Sequence, residues 1–324
     1  MVDVLIHLAE SEKALKLAVE MSMTYYGKKL VVAYSGGKDS DVLIHLAESV
    51  LKPEQWEVIN SHTSVDAPPT VKHIRETKKR LAEKGVEMTI LIPKGKDGKQ
   101  LNMAKLVWEN GTPPTRRIRH CCRALKEPST PNRICALGVR GSESVSRQGR
   151  EVFATRGMVG GVPRLSLAEF FSIEQAETAH FDYLNNKDSA CEHALIKEML
   201  NHSDTIVNPI YFWTDSEIWE YIRRENIKIN PLYYPPYNYK RVGCLLCPMA
   251  SYAEKKKQEA DFPGYKKLYI HIFDKMLKIR KERGLENRSA WATGEDVYNW
   301  WIEEYKHNVK GQISIEEWLR SKDG

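Results

Sequence analysis

No apolar run in this 324-residue sequence approaches the roughly 18 residues that a membrane span needs, so no spanning helix is expected. Met1 to Leu15 lacks a basic segment followed by an apolar one; this argues against a secretion signal and makes the cytoplasm the expected location. Cysteine is also scarce. Six in a chain this long do not build a disulfide framework, and they favour metal or redox chemistry instead. Nor does one sign of charge dominate, since the net charge is only +6. The positive charge is unevenly placed, however, with nine Arg and Lys against two Glu between Arg116 and Arg150, and eleven basic against six acidic residues between Ser251 and Ala290. Segments of that kind meet anions.

At 42% hydrophobic and 28% charged residues the composition is that of an ordinary soluble enzyme. The length suits one large α/β domain with an appendage, or two domains. Lys29 to Ser35 reads as a buried strand and Asp41 to Leu51 as the helix after it. Trp56 to Thr63 and Glu87 to Pro93 read as further strands around a charged helix from Thr70 to Lys84, and a fourth strand is expected over Arg133 to Val139. Strands alternating with helices predict an α/β fold with a doubly wound parallel sheet. Beyond Asn208 the pattern turns helical: Thr214 and Glu217 form a capping box opening a helix to Arg224, and later helices are expected over Ala253–Glu259, Tyr265–Arg283 and Glu295–Tyr305. The expected division is residues 1–210 as a nucleotide-binding α/β domain and residues 211–324 as a helical region with a basic surface. The nine residues DVLIHLAES occur twice, at Asp3–Ser11 and Asp41–Ser49, and only the second copy follows a glycine loop. No function is assigned to the first.

Between the first strand and its helix lies Ser35-Gly36-Gly37-Lys38-Asp39-Ser40. Free backbone N–H groups at a helix start, glycines that allow close approach and a lysine make this an anion cradle. It is not a Walker A loop, because Asp39 stands where Ser or Thr is required after Gly-Lys, and position 32 is Val. The loop resembles that of the PP-loop family of ATP pyrophosphatases, in which SGGxDS grips the β and γ phosphates while ATP adenylates a substrate. His62 to Thr70 follows the second strand, where an open α/β sheet places its ligand crevice. This segment is similar to the corresponding turn of the phosphoadenylyl-sulfate reductase branch, which makes His62, Thr63 and Asp66 nucleotide-binding candidates.

Cys121 and Cys122 are adjacent, and Cys244 and Cys247 form CxxC, so two thiolate pairs can converge on one centre. Four thiolates suit zinc or an iron–sulfur cluster. Neighbouring residues do not easily turn both sulfurs onto one small ion, whereas they can bind two irons of a cubane. The cluster is therefore favoured over zinc or free thiols. Arg116, Arg117, Arg119, Arg123, Lys240 and Arg241 flank the pairs in sequence and offset an anionic centre. RHCCRALKEP with VGCLLCP resembles the assimilatory adenylyl-sulfate reductase branch, and that resemblance implies a [4Fe-4S] cluster held by Cys121, Cys122, Cys244 and Cys247. Cys135 and Cys191 lack partners and are expected to be buried packing residues.

A second anion site is expected at Gly138 to Ser144 after the fourth strand, with Arg147 and Arg150 close behind. It resembles the reductases' GLRxxxS segment around the α-phosphate and sulfate, which points to Gly138 and Arg140. The whole resemblance runs from Lys29 through Met249. It departs at the C-terminus, where those reductases carry a mobile cysteine and no cysteine follows Cys247 here. In the tail, Tyr252, Tyr265, Tyr269, Phe273 and Trp291 among Lys and Arg offer stacking on nucleic-acid bases, and amphipathic helices explain the same pattern.

The leading expectation is an ATP-dependent, iron–sulfur PP-loop enzyme that adenylates a substrate oxygen with pyrophosphate release, with tRNA or DNA thiolation as its substrate class. Lys38, Asp39 and Arg140 are the expected catalytic residues, with Mg²⁺, a sulfur-donor or electron-donor protein, no membrane and a homo-oligomer alongside. The alternatives are a reductase acting on adenylyl sulfate or its 3′-phosphorylated form, and a non-catalytic nucleotide-binding module.

Overall fold

The computed structural model describes residues 2–95, 97–126, 132–159, 162–185, 194–200, 204–288 and 290–303. The chain divides into two compact units, one of Met1–Lys94 with Leu125–Gly243 and one of Gly95–Ala124 with Cys244–Gly324. This division does not coincide with the cut expected after residue 210. Trp213, Ile218, Tyr221 and Ile222 belong to the same core as the first strand and stay with the sheet, whereas the segment carrying Cys121 and Cys122 joins the C-terminal helices.

In the first unit α1 (Val2–Tyr26) precedes β1 (Leu30–Ala33), α2 (Lys38–Val50), β2 (Trp56–Ser61), α3 (Pro68–Glu83) and β3 (Met88–Leu91). Within the second unit's first segment lies α4 (Met103–Asn110). The chain returns to the first unit for β4 (Ile134–Ala136), β5 (Phe153–Val159), β6 (Val162–Phe171), α5 (Ile173–Asn185), α6 (Ala194–Leu200), β7 (Asp204–Val207) and α7 (Asp215–Arg224). The strands form one sheet in the order β3-β2-β1-β4-β7-β5-β6. The five from β3 to β7 run parallel, and β5 pairs antiparallel with both β7 and β6. The fold is thus α/β with a mostly parallel sheet.

Alternation across the pleat distributes β1 between two cores. Leu30 and Val32 join a large cluster with Leu15, Leu43, Leu46, Ile74 and Leu81 from α1, α2 and α3, while Val31 faces Cys135, Ala154 and Ile206. Cys135 is buried as expected, and Cys191 lies outside the described residues. The antiparallel β5–β6 pair is a feature the strand-and-helix pattern did not predict. Both copies of DVLIHLAES lie in helices, and each presents its histidine to α7: His7 Nδ1 is 2.9 Å from Glu217 and His45 Nδ1 is 3.0 Å from the Tyr221 hydroxyl.

The second unit packs α4, α8 (Tyr252–Asp261), α9 (Pro263–Glu282) and α10 (Gly294–Ile302). Of the two readings of the tail aromatics, amphipathic packing accounts for three of the five. Tyr269 and Phe273 lie on the buried face of α9 with Tyr298 and Trp301 of α10, Trp291 is buried between the two helices in sequence, and Tyr252 and Tyr265 are half-exposed. Among the described residues no helix is long and apolar enough to cross a membrane.

Candidate functional site

Because β1, β2 and β4 are parallel, the loops that leave them emerge at one edge of the sheet. The strand order reverses between β1 and β4, where open α/β sheets bind their ligands. Gly36 follows β1 with φ +73°, and a Cβ there would lie 3.1 Å from the Ile74 side chain, so glycine is required at this turn. Gly37 caps α2 without a side-chain bond. The serines brace the loop from within: Ser40 Oγ donates to the Gly37 carbonyl at 2.8 Å and lies 3.2 Å from Ser35 Oγ. Tyr233, 195 residues away in sequence, accepts the Lys38 N–H at 3.1 Å, and buried Asn230 donates to the Gly36 carbonyl at 2.8 Å.

The loop after β4 reaches the same place. A Cβ at Gly138 would lie 3.2 Å from the carbonyl carbon and oxygen of Asp39, so glycine lets the two loops cross without displacing that backbone. The crossing delivers Arg140, whose Nε donates to Asp39 Oδ1 at 2.7 Å. Arg140 also donates through Nη2 to Asp215 Oδ1 at 3.0 Å and through Nη1 to Ser142 Oγ at 3.1 Å. Lys38 Nζ is 2.8 Å from the same Asp215 oxygen and sits near the rings of Trp219 and Tyr233. The Lys38 and Arg140 side chains are only 6% and 5% exposed. Buried cations held this close are suited to stabilising phosphate charge. The structure therefore brings Ser35–Ser40, Gly138 and Arg140 together.

Arg147 lies nearby, ion-paired with Glu143. Burial pushes its guanidinium below the ordinary arginine range, and the neighbouring Arg241 and Arg150 add to the effect. Tyr211 fixes this segment by donating its hydroxyl to the Arg147 carbonyl at 2.9 Å and accepting the Arg150 N–H at 3.2 Å. On the β2 side, Thr63 Oγ1 donates to Asp66 Oδ2 at 2.7 Å around Ser64, whose φ is +66°. The His62 N–H donates to Leu91. Asn60 ties this strand to the phosphate loop by donating to the Tyr34 carbonyl at 2.9 Å.

Several residues at this edge escaped sequence reasoning. Asp215 is the first residue of α7, where the Thr214–Glu217 capping box marked the helix start and nothing more. Below the loop, Asp41 is buried with His73 Nε2 at 2.9 Å and the Tyr34 hydroxyl at 2.7 Å. Burial raises the Asp41 carboxyl, only partly countered by His73, and burial followed by the Asp41 charge raises the Tyr34 phenol well above its usual range.

In the second unit, Arg116 donates through Nε to the Pro248 carbonyl at 3.0 Å and through Nη2 to Ala250 at 3.2 Å, stapling the Cys121–Cys122 segment to the CxxC turn. Within that turn Leu246 adopts φ +56° and its N–H donates to Gln258. The Cys121 thiol is driven far above its ordinary range by its bond with Cys122, by burial, and by repulsion from Cys122, Cys244 and Cys247. All four sulfurs thus share one neighbourhood, and Arg119 donates to Cys122 Sγ at 3.3 Å. Among the described residues, however, no three His, Cys, Asp or Glu side chains are closed into a metal site.

Residues 29–250 match the model of the phosphoadenosine phosphosulfate reductase domain, more than half of the chain. The chain belongs to that family. Among relatives in the family's range, sulfate adenylyltransferase subunit 2 of Mycobacterium sp. (strain KMS) is 28% identical over 211 residues, which cover 63% of this chain and 57% of that protein. An uncharacterized protein of Methanocaldococcus jannaschii is 24% identical over 236 residues, 73% of this chain and 39% of its own length. The chain therefore spans only about half, or less, of these relatives. Among solved structures, phosphoadenylyl-sulfate reductase from Candida auris in its phosphate complex superposes with a TM-score of 0.38 at 15% identity, over 72% of this chain and 87% of that one. Candida glabrata FMN adenylyltransferase with FMN and an ATP analogue gives 0.41 at 12% identity, over 75% and 64%. Scores of this size carry no functional weight. Family membership matches the resemblance read over Lys29 to Met249.

Proposed function

We propose that this chain is an ATP-dependent PP-loop enzyme that adenylates a substrate oxygen and releases pyrophosphate, so that a sulfur nucleophile can displace AMP, with nucleic acid, tRNA or DNA, as the acceptor. The observation that carries this reading is the meeting of two nearly buried cations, Lys38 and Arg140, beside a helix N-terminus where β1 and β4 diverge. In this reading the acceptor oxygen attacks the α-phosphorus while the bond to the bridging oxygen breaks. Lys38, the loop amides, Ser35 and Ser40 hold the departing pyrophosphate, Arg140 steadies the reacting phosphate, and Asp39 orients the loop or Mg²⁺. His62, Thr63 and Asp66 are assigned to the nucleotide's other end.

The four-thiol set of Cys121, Cys122, Cys244 and Cys247 fits a [4Fe-4S] cluster by its donor chemistry and shared neighbourhood. When bound, such a cluster would supply a binding or relay point for sulfur delivered by a donor protein. The second reading, reduction of adenylyl sulfate or its 3′-phosphorylated form, is favoured by the family match itself. It predicts sulfite release and no ATP turnover.

The test is pyrophosphate release from ATP by anaerobically purified protein, with Lys38→Ala as control and bulk tRNA or DNA added in parallel. Release that disappears in the variant supports adenylation, and stimulation by one nucleic acid identifies the acceptor class. Sulfite release from adenylyl sulfate without ATP turnover would select the second reading.

A further inference from the structure

Lys38 and Arg140 are neutralised by the chain's own carboxylates. Asp215 Oδ1 takes a bond from Lys38 Nζ at 2.8 Å and another from Arg140 Nη2 at 3.0 Å. Asp39 holds the remaining Nε of Arg140. Two cations therefore face two anions, and the donors suited to a phosphate already have an occupant.

We propose that Asp215 is an internal counter-anion of the phosphate site: its carboxylate competes with any incoming anion for Lys38 and Arg140, and so sets the affinity of the site. This rests on reading Ser35–Ser40 with Arg140 as a pyrophosphate site. Of the two carboxylates, Asp215 is the one able to leave. Its side chain is 61% exposed on the first residue of a helix, so one rotamer change returns it to water. Asp39 is 19% exposed, and its backbone is pinned by the crossing of Gly138.

Withdrawal of Asp215 frees Arg140 Nη2 and leaves Lys38 Nζ with only a longer contact, 3.5 Å, to Asp39 Oδ2. Exchanging this carboxylate for a singly charged anion leaves the Coulomb sum nearly unchanged, so such an anion gains little. A multiply charged one gains more attraction to both cations, which are shielded from water, but the cost of displacing Asp215 is the same for either anion and lowers both affinities alike. The helix does not depend on Asp215, since Thr214 and Glu217 supply the capping box.

The experiment is calorimetric titration of inorganic pyrophosphate and of orthophosphate, without magnesium, into the full chain, Asp215→Asn, Asp215→Ser and Lys38→Ala. Both Asp215 variants should bind orthophosphate and pyrophosphate about tenfold more tightly, a shift of about 1.4 kcal/mol for each. Lys38→Ala should bind neither. If the full chain binds pyrophosphate but the Asp215 variants bind both anions no more tightly, the proposal is overturned and the phosphate site stands. Pyrophosphate bound by none of the proteins would overturn the phosphate-site reading and this proposal with it.

Discussion

The Nε of Arg140 meets Asp39 Oδ1 at 2.7 Å across 101 residues of sequence, joining the loop after β4 to the first turn of α2. The crossing depends on Gly138, whose hydrogen faces the Asp39 carbonyl group. A methyl group there lies 3.2 Å from the Asp39 carbonyl carbon and oxygen, so that backbone must shift to admit it. Gly138→Ala should lower stability by about 1–3 kcal/mol in urea unfolding. It should also cut pyrophosphate release at least about tenfold by displacing Arg140. Unchanged activity would mean that the two loops need not touch for catalysis.

Asn230 is fully buried and makes three bonds: to the Gly36 carbonyl, to Thr70 Oγ1, and from the Leu232 N–H to its own oxygen. Asn230→Ala leaves those groups without partners, and stability should fall by about 2–3 kcal/mol. Nucleotide binding should weaken beyond what unfolding explains, because Gly36 then loses its anchor. Equilibrium unfolding together with a binding titration on the folded fraction separates the two effects.

Burial holds the His45 and His180 imidazoles below their ordinary value of 6.5, outweighing Glu225 and Glu48 beside the first and Glu20 beside the second. The unfolded chain then takes up protons that the folded chain resists. Their contribution to stability is complete above 6.5 and is lost as pH falls through that value toward the lowered folded-state values. The urea midpoint should decline from about pH 7 to about pH 5.5. A double variant, His45→Gln with His180→Gln, should flatten the decline, and an unaltered slope would assign it to other groups.

If the four thiols hold a cubane, anaerobic protein should carry about four irons and four sulfides per chain, with broad absorption in the visible. Replacing any of Cys121, Cys122, Cys244 or Cys247 by Ser should abolish that content. Cys135→Ala should leave it intact, because Cys135 packs beneath the sheet, where burial raises its thiol to about 11. Zinc in place of iron would redirect the assignment toward a structural centre.

How much of this was legible in the sequence follows from the range of each interaction. SGGKDS after an apolar strand, the Thr214–Glu217 box and the CC and CxxC pairs are local patterns, and local chemistry specifies them: glycine for a positive φ, a hydroxyl and a carboxylate three residues apart at a helix start, thiols near enough to share a centre. The tail aromatics left stacking on nucleic acid and amphipathic packing both open, because their spacing marks one helix face without saying what covers it. α10 and α4 pack against α9, and Trp301 donates its indole N–H to Pro114. The β5–β6 pair went unread although Gly160-Gly161 stands between the strands in sequence, a hairpin signal in a stretch without clean alternation.

By itself the sequence determined the phosphate loop, the α/β class and the two cysteine pairs, because each is encoded in a few neighbouring residues. Only the tertiary structure decided that Asp215 stands between Lys38 and Arg140, that Tyr233 and Asn230 hold the loop, and that Arg116 ties one cysteine segment to the other. Those contacts join residues 75 to 195 positions apart, and no local propensity records them. They follow from the parallel sheet, which gathers loops from distant strands at one edge, and from burial, which gives each polar group gathered there a specific partner.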